Sequence, residues 1–395
     1  MMQQPIQKLW TRDFLIISLI NFFLTLIFFL LMVTIGVHAV ESYGATTSQA
    51  GLVTGIFIIG TLTGRLFIGR LIDSIGRKKT LYIGLVFFTA TILLYFVHWG
   101  VGFLLLTRFV HGLGMGLSST ATGTIVAQVI PATRKGEGIG YYSMSSTLAT
   151  AIGPFVGLLL SQHTSFTVIF GLCFVIGVIS LASTFFVNVP EVDAPEVVRG
   201  FSLKSFVEPK ALPIALIIGM AALSYSSVLS YINFYASELD LIEAASIFFL
   251  VYSVAVLLSR PITGKLMDAR GANVVMYPAI AIFAIGLLVL SQANSGWMLL
   301  LAGALIGLGF GNIQSGTQAI AVKASPPHRM GMATSTFFIA LDAGLGFGPY
   351  FIGLLIPLTG FSTLYLILSG VVLFTIFLYY VMNGRNEQKQ LNEAA

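Results

Sequence analysis

Twelve long apolar runs follow one another along almost the whole chain. A run of about 20 apolar residues is long enough to cross the hydrocarbon core of a bilayer as a helix. Hydrophobic residues make up 56% of the 395 residues and charged residues only 9%, whereas soluble domains contain about 25% charged residues. A chain of this composition has too little polar surface to cover a core in water. The sequence therefore predicts an all-α integral membrane protein.

We assign the runs to helices because lipid offers no partner to an unpaired backbone N–H or C=O group. Strands of a membrane barrel would alternate in polarity over about ten residues, and these runs do not. The first run is too long for a signal-peptide core, so we interpret it as a retained helix. The predicted spans are 13–37, 49–70, 79–98, 101–127, 137–160, 165–187, 211–236, 244–266, 273–292, 297–322, 331–356 and 361–383.

The lysines and arginines predict how the chain is oriented. With the N-terminus in the cytoplasm, every Lys and Arg except Arg108 falls on the cytoplasmic side. This assignment counts Arg65 with the turn between helices 2 and 3, and Arg260 with the turn between helices 8 and 9. The positive-inside rule then predicts a multi-pass protein of the plasma membrane with both termini in the cytoplasm. Because this bias accounts for the net charge of +5, we exclude nucleic acid as a partner.

The chain also contains an internal repeat. A shift of 195 residues superimposes several motifs without a gap, which indicates a duplicated six-helix unit. The organisation expected is an N-terminal bundle (1–187), a cytoplasmic central loop (188–210) and a C-terminal bundle with a short cytoplasmic tail (211–395), related by a pseudo-two-fold axis. Such halves suit alternating access around a site near the midplane. The matched pairs are Arg65 and Arg260, Gly69 and Gly264, Asp73 and Asp268, Gly76 and Gly271, GLGMG at 112 and GLGFG at 307, and Gly153-Pro154 and Gly348-Pro349.

The two copies of one motif, GRLIDSIGRKKT and GKLMDARGANVV, each place an aspartate at a cytoplasmic helix end. A carboxylate there can cap a neighbouring helix and pair with a cation. We expect Arg70 or Arg77 to pair with Asp73, and Lys265 or Arg270 to pair with Asp268. The hypothesis is a conformational latch that holds the outward-facing state, and the alternative is a static topology signal. The predicted latch residues are Gly69, Asp73, Gly76, Arg77, Lys78, Gly264, Asp268 and Gly271.

Two charged residues fall well inside predicted spans. Arg108 lies roughly 10 Å deep in helix 4, where a cation must face protein or water, and His111 and Met115 share its face. Asp342 lies about 16 Å deep in helix 11, followed by Gly346 on the same face. We predict that Asp342 binds and releases the coupled proton, with Arg108 and His111 assisting. The alternative is that each side chain is hydrogen-bonded for packing alone.

Other residues are candidates for a hinge or for a cavity. The hinge candidates in helices 5 and 11 are Gly153, Pro154, Gly157, Gly348 and Pro349, because proline removes a helix hydrogen bond; close packing is the alternative. Uncharged polar residues on helices 1, 4, 7 and 10 suggest a mainly apolar substrate cavity. The cavity candidates are Asn21, Met115, Tyr225, Tyr231, Asn233, Asn312 and Gln314.

Several of these motifs resemble those of the major facilitator superfamily, and the resemblance covers the whole chain. GRLIDSIGRKK is similar to that family's signature between helices 2 and 3, although Ser74 stands where a cation is usual. LLLTRFVHGLGMG is similar to its helix 4 signature, with Arg108 as the arginine. Gly140 together with GPFVG at 153–157 resembles the helix 5 signature of drug–proton antiporters, with Ala149 and Leu158 in place of two glycines.

The resemblance implies a transporter in which helices 1, 4, 7 and 10 surround a central cavity. Ala272 and Asn273 replace the basic pair in the second motif, so we expect two unequal latches. The function predicted is proton-coupled efflux of a small apolar or amphiphilic compound. The alternatives are a sugar or metabolite exporter, a proton-coupled uptake symporter, and a receptor or scaffold that does not transport.

The remaining expectations are absences. The sequence has no phosphate-binding loop, and its single cysteine, Cys173, allows no intramolecular disulfide. No catalytic or metal-ligating cluster stands out. We therefore expect no enzyme activity, no cofactor and no metal ion. The expected partners are the lipid bilayer, protons and a small-molecule substrate, with the chain acting as a monomer.

Overall fold

The computed structural model describes residues 8–45, 47–189 and 207–385. Within these ranges every regular element is helical, and twelve helices are long and apolar enough to cross a membrane. The prediction of an all-α protein with twelve spans is therefore confirmed. Most of the predicted central loop (190–206) and the end of the predicted tail (386–395) lie outside the described residues.

The N-terminal half contains six helices. Thr11 caps the first helix by accepting a hydrogen bond from the Phe14 backbone N–H at 3.2 Å, and Gly44, with φ of 62°, ends it. This left-handed conformation is one that glycine adopts without strain. The helices are α1 (Arg12–Tyr43), α2 (Thr47–Ile75), α3 (Arg77–Ile92), α4 (Val101–Val129), α5 (Lys135–His163) and α6 (Phe166–Ser183).

The C-terminal half contains α7 (Leu212–Glu238), α8 (Ile242–Arg270), α9 (Asn273–Ser291) and α10 (Gly296–Lys323). A π-helical turn at Gly307–Gly311 interrupts α10. The helical stretch Met330–Tyr379 is broken at Gly360, where φ is 71° and ψ is 170°. We therefore divide it into α11 (330–359) and α12 (361–384), the latter ending in a second π-helical turn at Tyr380–Gly384.

The two halves use the same tight turn at equivalent positions. Gly76 follows α2 with φ of 98°, and Gly271 follows α8 with φ of 87°. An L-amino acid with a side chain is strained at such angles. Glycine therefore allows the chain to reverse direction within one residue at both places, as the internal repeat predicts.

Helices α2, α4, α8 and α10 finish at the same end of the bundle. We call it the basic end, because Arg77, Lys78, Lys265 and Lys323 lie there. The halves pack together mainly through two helix pairs, α2 against α11 and α5 against α8, with smaller contacts of α4 with α11 and of α5 with α10. Glycines allow the close approach: Gly264 contacts the Glu137 backbone, and Gly331 contacts Ile72 and Asp73. A cavity lies between the halves, away from the basic end.

Candidate functional site

A cavity of about 170 Å³ lies between the two halves. Side chains from α1, α2, α4 and α5 of one half and from α7, α8, α10 and α11 of the other line it. The lining is mainly aromatic and hydroxylic, and its only charged members are Arg65 and Asp342. Such a cavity suits a small organic molecule rather than a multiply charged one. The uncharged residues of the lining include Asn21, Met115, Ser119, Ser143, Thr147, Tyr225, Tyr252, Phe310, Gln314 and Phe338.

Asp342 forms an ion pair with an arginine of the other half. Its Oδ2 lies 2.7 Å from Arg65 Nε, and the two side chains are 16% and 5% exposed. The Arg65 guanidinium also lies 4.3 Å from the centre of the Phe338 ring, close enough for a cation–π interaction. The pair therefore joins α2 to α11 at the cavity wall. Removing either charge would leave the other buried and unpaired.

The same region contains a close backbone contact between the halves. Ser335 Oγ donates a hydrogen bond to the Arg65 carbonyl oxygen at 2.7 Å. Gly69, one turn further along α2, packs against Ser335 with no room for a side chain. The ion pair and this contact both lie on the α2–α11 interface. A change in the charge of Asp342 would therefore act directly on the packing between the halves.

The predicted latch residue Asp73 lies at the N-terminus of α11, close to Gly331. Arg77 donates to Asp73 Oδ1 from Nη2 at 2.8 Å and from Nε at 3.0 Å. The same guanidinium donates to the Pro327 carbonyl oxygen at 2.6 Å and to Gln128 Oε1 at 2.7 Å. We call Asp73, Arg77, Gln128 and Gly331 the first latch. It joins both halves at the basic end.

Asp268 occupies the equivalent place at the N-terminus of α5. Its two carboxylate oxygens accept the backbone N–H groups of Gly136 and Glu137, each at 2.8 Å. Its cation is neither Lys265 nor Arg270 but Lys323, whose Nζ lies 2.8 Å from Oδ1; Lys265 instead approaches Glu137 at 3.9 Å. We call Gly136, Glu137, Asp268 and Lys323 the second latch. A carboxylate held in this way neutralises the free N–H groups of the helix start.

Each latch pairs its aspartate with one cation, but the two cations lie on different helices. By the 195-residue repeat, Arg77 corresponds to Ala272 and Gln128 corresponds to Lys323. The first latch therefore has its cation at the start of α3, and the second has its cation at the end of α10. Lys323 thus provides the positive charge that position 272 lacks, and sequence reasoning did not consider Lys323 as the partner of Asp268.

The other predicted latch residues are four glycines and Lys78. Gly69 and Gly264 allow the helix contacts described above, and Gly76 and Gly271 form the turns. Lys78 donates from Nζ to the Val187 carbonyl oxygen at 2.6 Å. That bond lies within the N-terminal half, so Lys78 does not link the halves.

Arg108 and His111 are fully buried within the N-terminal half and do not line the cavity. Arg108 donates to the Val53 carbonyl oxygen at 3.2 Å and to the Tyr95 hydroxyl at 3.4 Å. The same hydroxyl lies 2.9 Å from His111 Nδ1. At this depth α2 and Tyr95 cover the polar face of α4, whereas Met115, nearer the basic end, reaches the cavity. A role for Arg108 and His111 in proton movement stays a prediction.

The two Gly-Pro pairs lie in continuous helix and pack within their own halves. Gly153 and Gly157 contact α1, and Gly348 contacts α7. Pro154 and Pro349 interrupt neither helix. The Pro349 carbonyl oxygen accepts a hydrogen bond from Tyr231 at 2.7 Å. The packing interpretation accounts for these contacts, and a hinge at these sites stays a prediction.

The predicted cavity residues divide into two groups. Asn21, Met115, Tyr225 and Gln314 line the cavity. Tyr231 and Asn312 do not, because Tyr231 bonds to α11 and Asn312 bonds to other residues of the C-terminal half. The Asn312 amide donates to the Leu308 carbonyl oxygen at 2.7 Å and to Ser259 Oγ at 3.0 Å. The side chain of Asn233 lies outside the described part of the structure.

Sequence reasoning missed the two arginines that lie at the interface between the halves. The interpretation of Arg65 and Arg260 as turn residues is wrong, because both are buried inside helices, at 4% and 1% exposure. Each lies more than a helical turn before the end of its helix. That depth was the available signal, since a cation so far inside a span needs a partner. The aromatic cavity residues Tyr252 and Phe310 were also missed, and no sequence signal separates them from lipid-facing aromatic residues.

Comparison with known proteins gives matches over the whole length of the fold. The model of the Major Facilitator Superfamily matches residues 17–249 and 214–395. An uncharacterised MFS-type transporter of Methanocaldococcus jannaschii is 25% identical over 82% of this chain and 86% of its own length. The multidrug resistance protein MdtG of Salmonella typhimurium is 27% identical over 92% of this chain and 94% of its own length.

Two solved structures share the fold at low sequence identity. The human organic anion transporter MFSD10 superposes with a TM-score of 0.77 and 14% identity, over 93% of this chain and 98% of its own. The transporter FucP, in its outward conformation, superposes with a TM-score of 0.75 and 15% identity, over 94% of this chain and 99% of its own. With a family match over both halves and this fold, the chain belongs to the Major Facilitator Superfamily.

Proposed function

We propose that the protein exports a small apolar or amphiphilic compound in exchange for protons, by alternating access. The observation that supports this most is the ion pair between Arg65 and Asp342. It is buried, it lies at the cavity wall, and it joins the two halves. A single protonatable group in that position couples the binding of a proton to the packing of the halves. The helix 5 motif and the similarity to proteins named for multidrug resistance favour efflux.

The arrangement of contacts supports an outward-facing state. Both latches and the Ser335–Arg65 hydrogen bond close the path between the cavity and the basic end. The proposal orients the basic end toward the cytoplasm, on the positive-inside rule, with both termini there in the plasma membrane. The conformation described is then closed to the cytoplasm. Because one chain provides both halves of the cavity, the proposal takes the monomer as the working unit.

The proposed exchange follows from the charge of Asp342. While Asp342 is ionised, it pairs with Arg65 and holds α2 against α11. A proton that enters from the outer side neutralises Asp342, and the buried pair loses its attraction, which typically costs several kcal/mol when one partner is removed. The α2–α11 interface then loosens and the basic end opens. Release of the proton to the cytoplasm and binding of substrate restore the pair, so proton and substrate move in opposite directions.

The test uses purified protein in proteoliposomes with a pH-sensitive dye in the lumen. Fluorescent amphiphiles of positive, zero and negative charge are added in turn, and proton movement and compound uptake are recorded together. We expect at least one compound to move opposite to protons. Asp342→Asn should lower the proton movement at least about tenfold, because the amide binds no proton in this range.

The matched control is Asp240→Asn, in the turn between α7 and α8 at the end of the bundle opposite the basic end. Residue 240 has φ of 57°, which asparagine tolerates, so this variant should behave as wild type. Proton movement in the same direction as the compound would replace antiport by symport. Undiminished coupling in a folded Asp342→Asn variant would remove Asp342 from the mechanism, and absence of flux for every compound would overturn transport.

A further inference from the structure

Arg260 on α8 is a buried cation that the mechanism above does not use. Its side chain is 1% exposed, and its Nε, Nη1 and Nη2 atoms form no hydrogen bond with any described residue. Burying an unpaired charge is costly, so such groups are normally paired with an anion or held by several acceptors. Arg260 therefore differs from Arg65, whose charge is balanced by Asp342.

The internal repeat shows why Arg260 has no carboxylate. Arg260 corresponds to Arg65, and Thr147 on α5 corresponds to Asp342 on α11. Thr147 lines the cavity, and its hydroxyl donates to the Ser143 carbonyl oxygen at 3.2 Å. The α5–α8 interface thus repeats the arginine of the α2–α11 interface, but a neutral hydroxyl replaces the acid.

Tyr252 is the residue of α8 that lines the cavity. It lies eight positions before Arg260 on the same helix, which is about two helical turns. Tyr252 stacks on Tyr225 with ring centres 5.5 Å apart, and Tyr225 stacks on Phe310 at 4.0 Å. An aromatic wall therefore lines the cavity about two helical turns along α8 from Arg260, whose guanidinium has no hydrogen-bond partner among the residues described. The two charged residues that do line the cavity, Arg65 and Asp342, pair with each other and carry no net charge together.

We propose that Arg260 and Tyr252 form a subsite for the anionic group of a singly charged amphiphile, with its apolar body against Tyr225 and Phe310. Arg260 supplies the charge, and the Tyr252 hydroxyl supplies the contact at the cavity wall. This inference rests on the proposed export function and adds the substrate class: organic monoanions with an aromatic or apolar body, such as carboxylates or sulfonates. One unpaired cation accounts for one anionic charge.

The first test compares two probes with the same aromatic body, 2-naphthoate and its uncharged amide, 2-naphthamide. Binding to the purified full-length protein is measured by calorimetry, without a pH gradient. We expect wild type to prefer 2-naphthoate, and Arg260→Gln to weaken 2-naphthoate about 10- to 100-fold, as for the loss of the attraction of a nearby buried charge. Binding of 2-naphthamide should change less than about threefold. Equal effects on both probes, or no preference in wild type, would overturn the subsite.

A second pair of variants gives Arg260 a partner from the protein. Thr147→Asp places a carboxylate where the repeat predicts it, and Thr147→Asn is the uncharged control of similar size. Thr147→Asp should weaken 2-naphthoate at least about tenfold relative to Thr147→Asn and should spare 2-naphthamide. In a double-mutant cycle with Arg260→Gln the two losses of 2-naphthoate affinity should be non-additive, because each change removes the attraction between the ligand and the same Arg260 charge. Additive losses would indicate simple repulsion and would contradict the inference.

Two further readouts keep the outcomes distinct. Melting temperature and gel filtration show whether Arg260→Gln folds; if it does not, Arg260→Met, an apolar replacement of similar length that such a buried site tolerates, takes its place in the probe comparison and in the cycle. Asp342→Asn should still bind 2-naphthoate, since it leaves Arg260 untouched. A failed anion preference with intact proton exchange would refute only the subsite. Intact anion binding without proton exchange would refute only the proposed function.

Discussion

The second latch allows a quantitative test of how the halves are held together. Asp268→Asn keeps the shape of the side chain but removes its charge and one of its two strong acceptors. In the structure the carboxylate accepts two backbone N–H groups of α5 and pairs with Lys323, all at 2.8 Å. The amide of asparagine cannot accept the second N–H group and presents a donor to it instead.

The magnitude follows from these contacts. A hydrogen bond to a charged acceptor contributes about 1.5–3 kcal/mol, and the half-exposed pair with Lys323 adds less than about 1 kcal/mol. The conformation closed at the basic end should therefore lose about 3 kcal/mol relative to the open one. That loss corresponds to a shift of roughly 100-fold in the ratio of the two conformations.

The assay uses the accessibility of one introduced cysteine. Cys173 is the only native cysteine, so Cys173→Ala with Ser119→Cys leaves a single thiol at the cavity. A membrane-impermeant maleimide is added from the basic end of the reconstituted protein, and the alkylation rate is measured. We expect Asp268→Asn to raise this alkylation rate in proportion to the population of the open conformation, up to the limit at which that conformation predominates. Asp240→Asn should change the rate less than about twofold.

An unchanged alkylation rate in a folded Asp268→Asn protein would refute the reasoning. It would mean that the capped α5 N-terminus contributes nothing to closing the halves. A rise in labelling from the opposite end, with none from the basic end, would also contradict it, because the latch would then hold the other conformation.

Three further changes test other contacts. Arg77→Ala should speed the same alkylation reaction. Adding Gln128→Lys should bring the rate back to within about threefold of wild type, because the new lysine occupies the position that corresponds to Lys323 of the second latch. No recovery would show that the position of the cation matters. Gly153→Leu should lower the melting temperature by overpacking α1, at a cost of about 1–3 kcal/mol, whereas Gly171→Leu should not, since nothing lies within 4 Å of an added Cβ there. Tyr95→Phe should destabilise the N-terminal half by about 1–3 kcal/mol through the buried arginine of α4 and leave proton exchange intact; loss of exchange in a folded variant would assign that arginine to the proton path.

The depth of a charge along a helix is readable from the sequence, but its partner is not. Asp342 could be singled out because it lies near the middle of a predicted span. Its pairing with Arg65 depends on how α2 packs against α11, and Arg65 lies 277 positions away in the chain. Arg65 was counted with the turn although the predicted span 49–70 already contained it, five positions from its end. Distance from the nearest span end would have corrected that assignment.

The repeat predicted equivalent positions well and departures from symmetry poorly. GLGMG in α4 is ordinary α-helix, whereas the matching GLGFG in α10 is a π-helical turn. Beside this turn the Asn312 side-chain amide donates to the Leu308 carbonyl oxygen at 2.7 Å. No local sequence rule separates the two glycine motifs.

If the halves arose by duplication, as the 195-residue repeat predicts, the different positions of the two latch cations constrain the order in which the substitutions accumulated. What each aspartate requires is one nearby positive charge, and either the start of the third helix of a half or the end of its fourth can provide it. An ancestor with both cations would have kept each aspartate paired, at little cost for an extra charge near the surface. An ancestor that lost the first cation before gaining the second would have left a carboxylate unpaired at the interface. Gain before loss is therefore the favoured path, and a copy with two cations is the intermediate to look for among relatives.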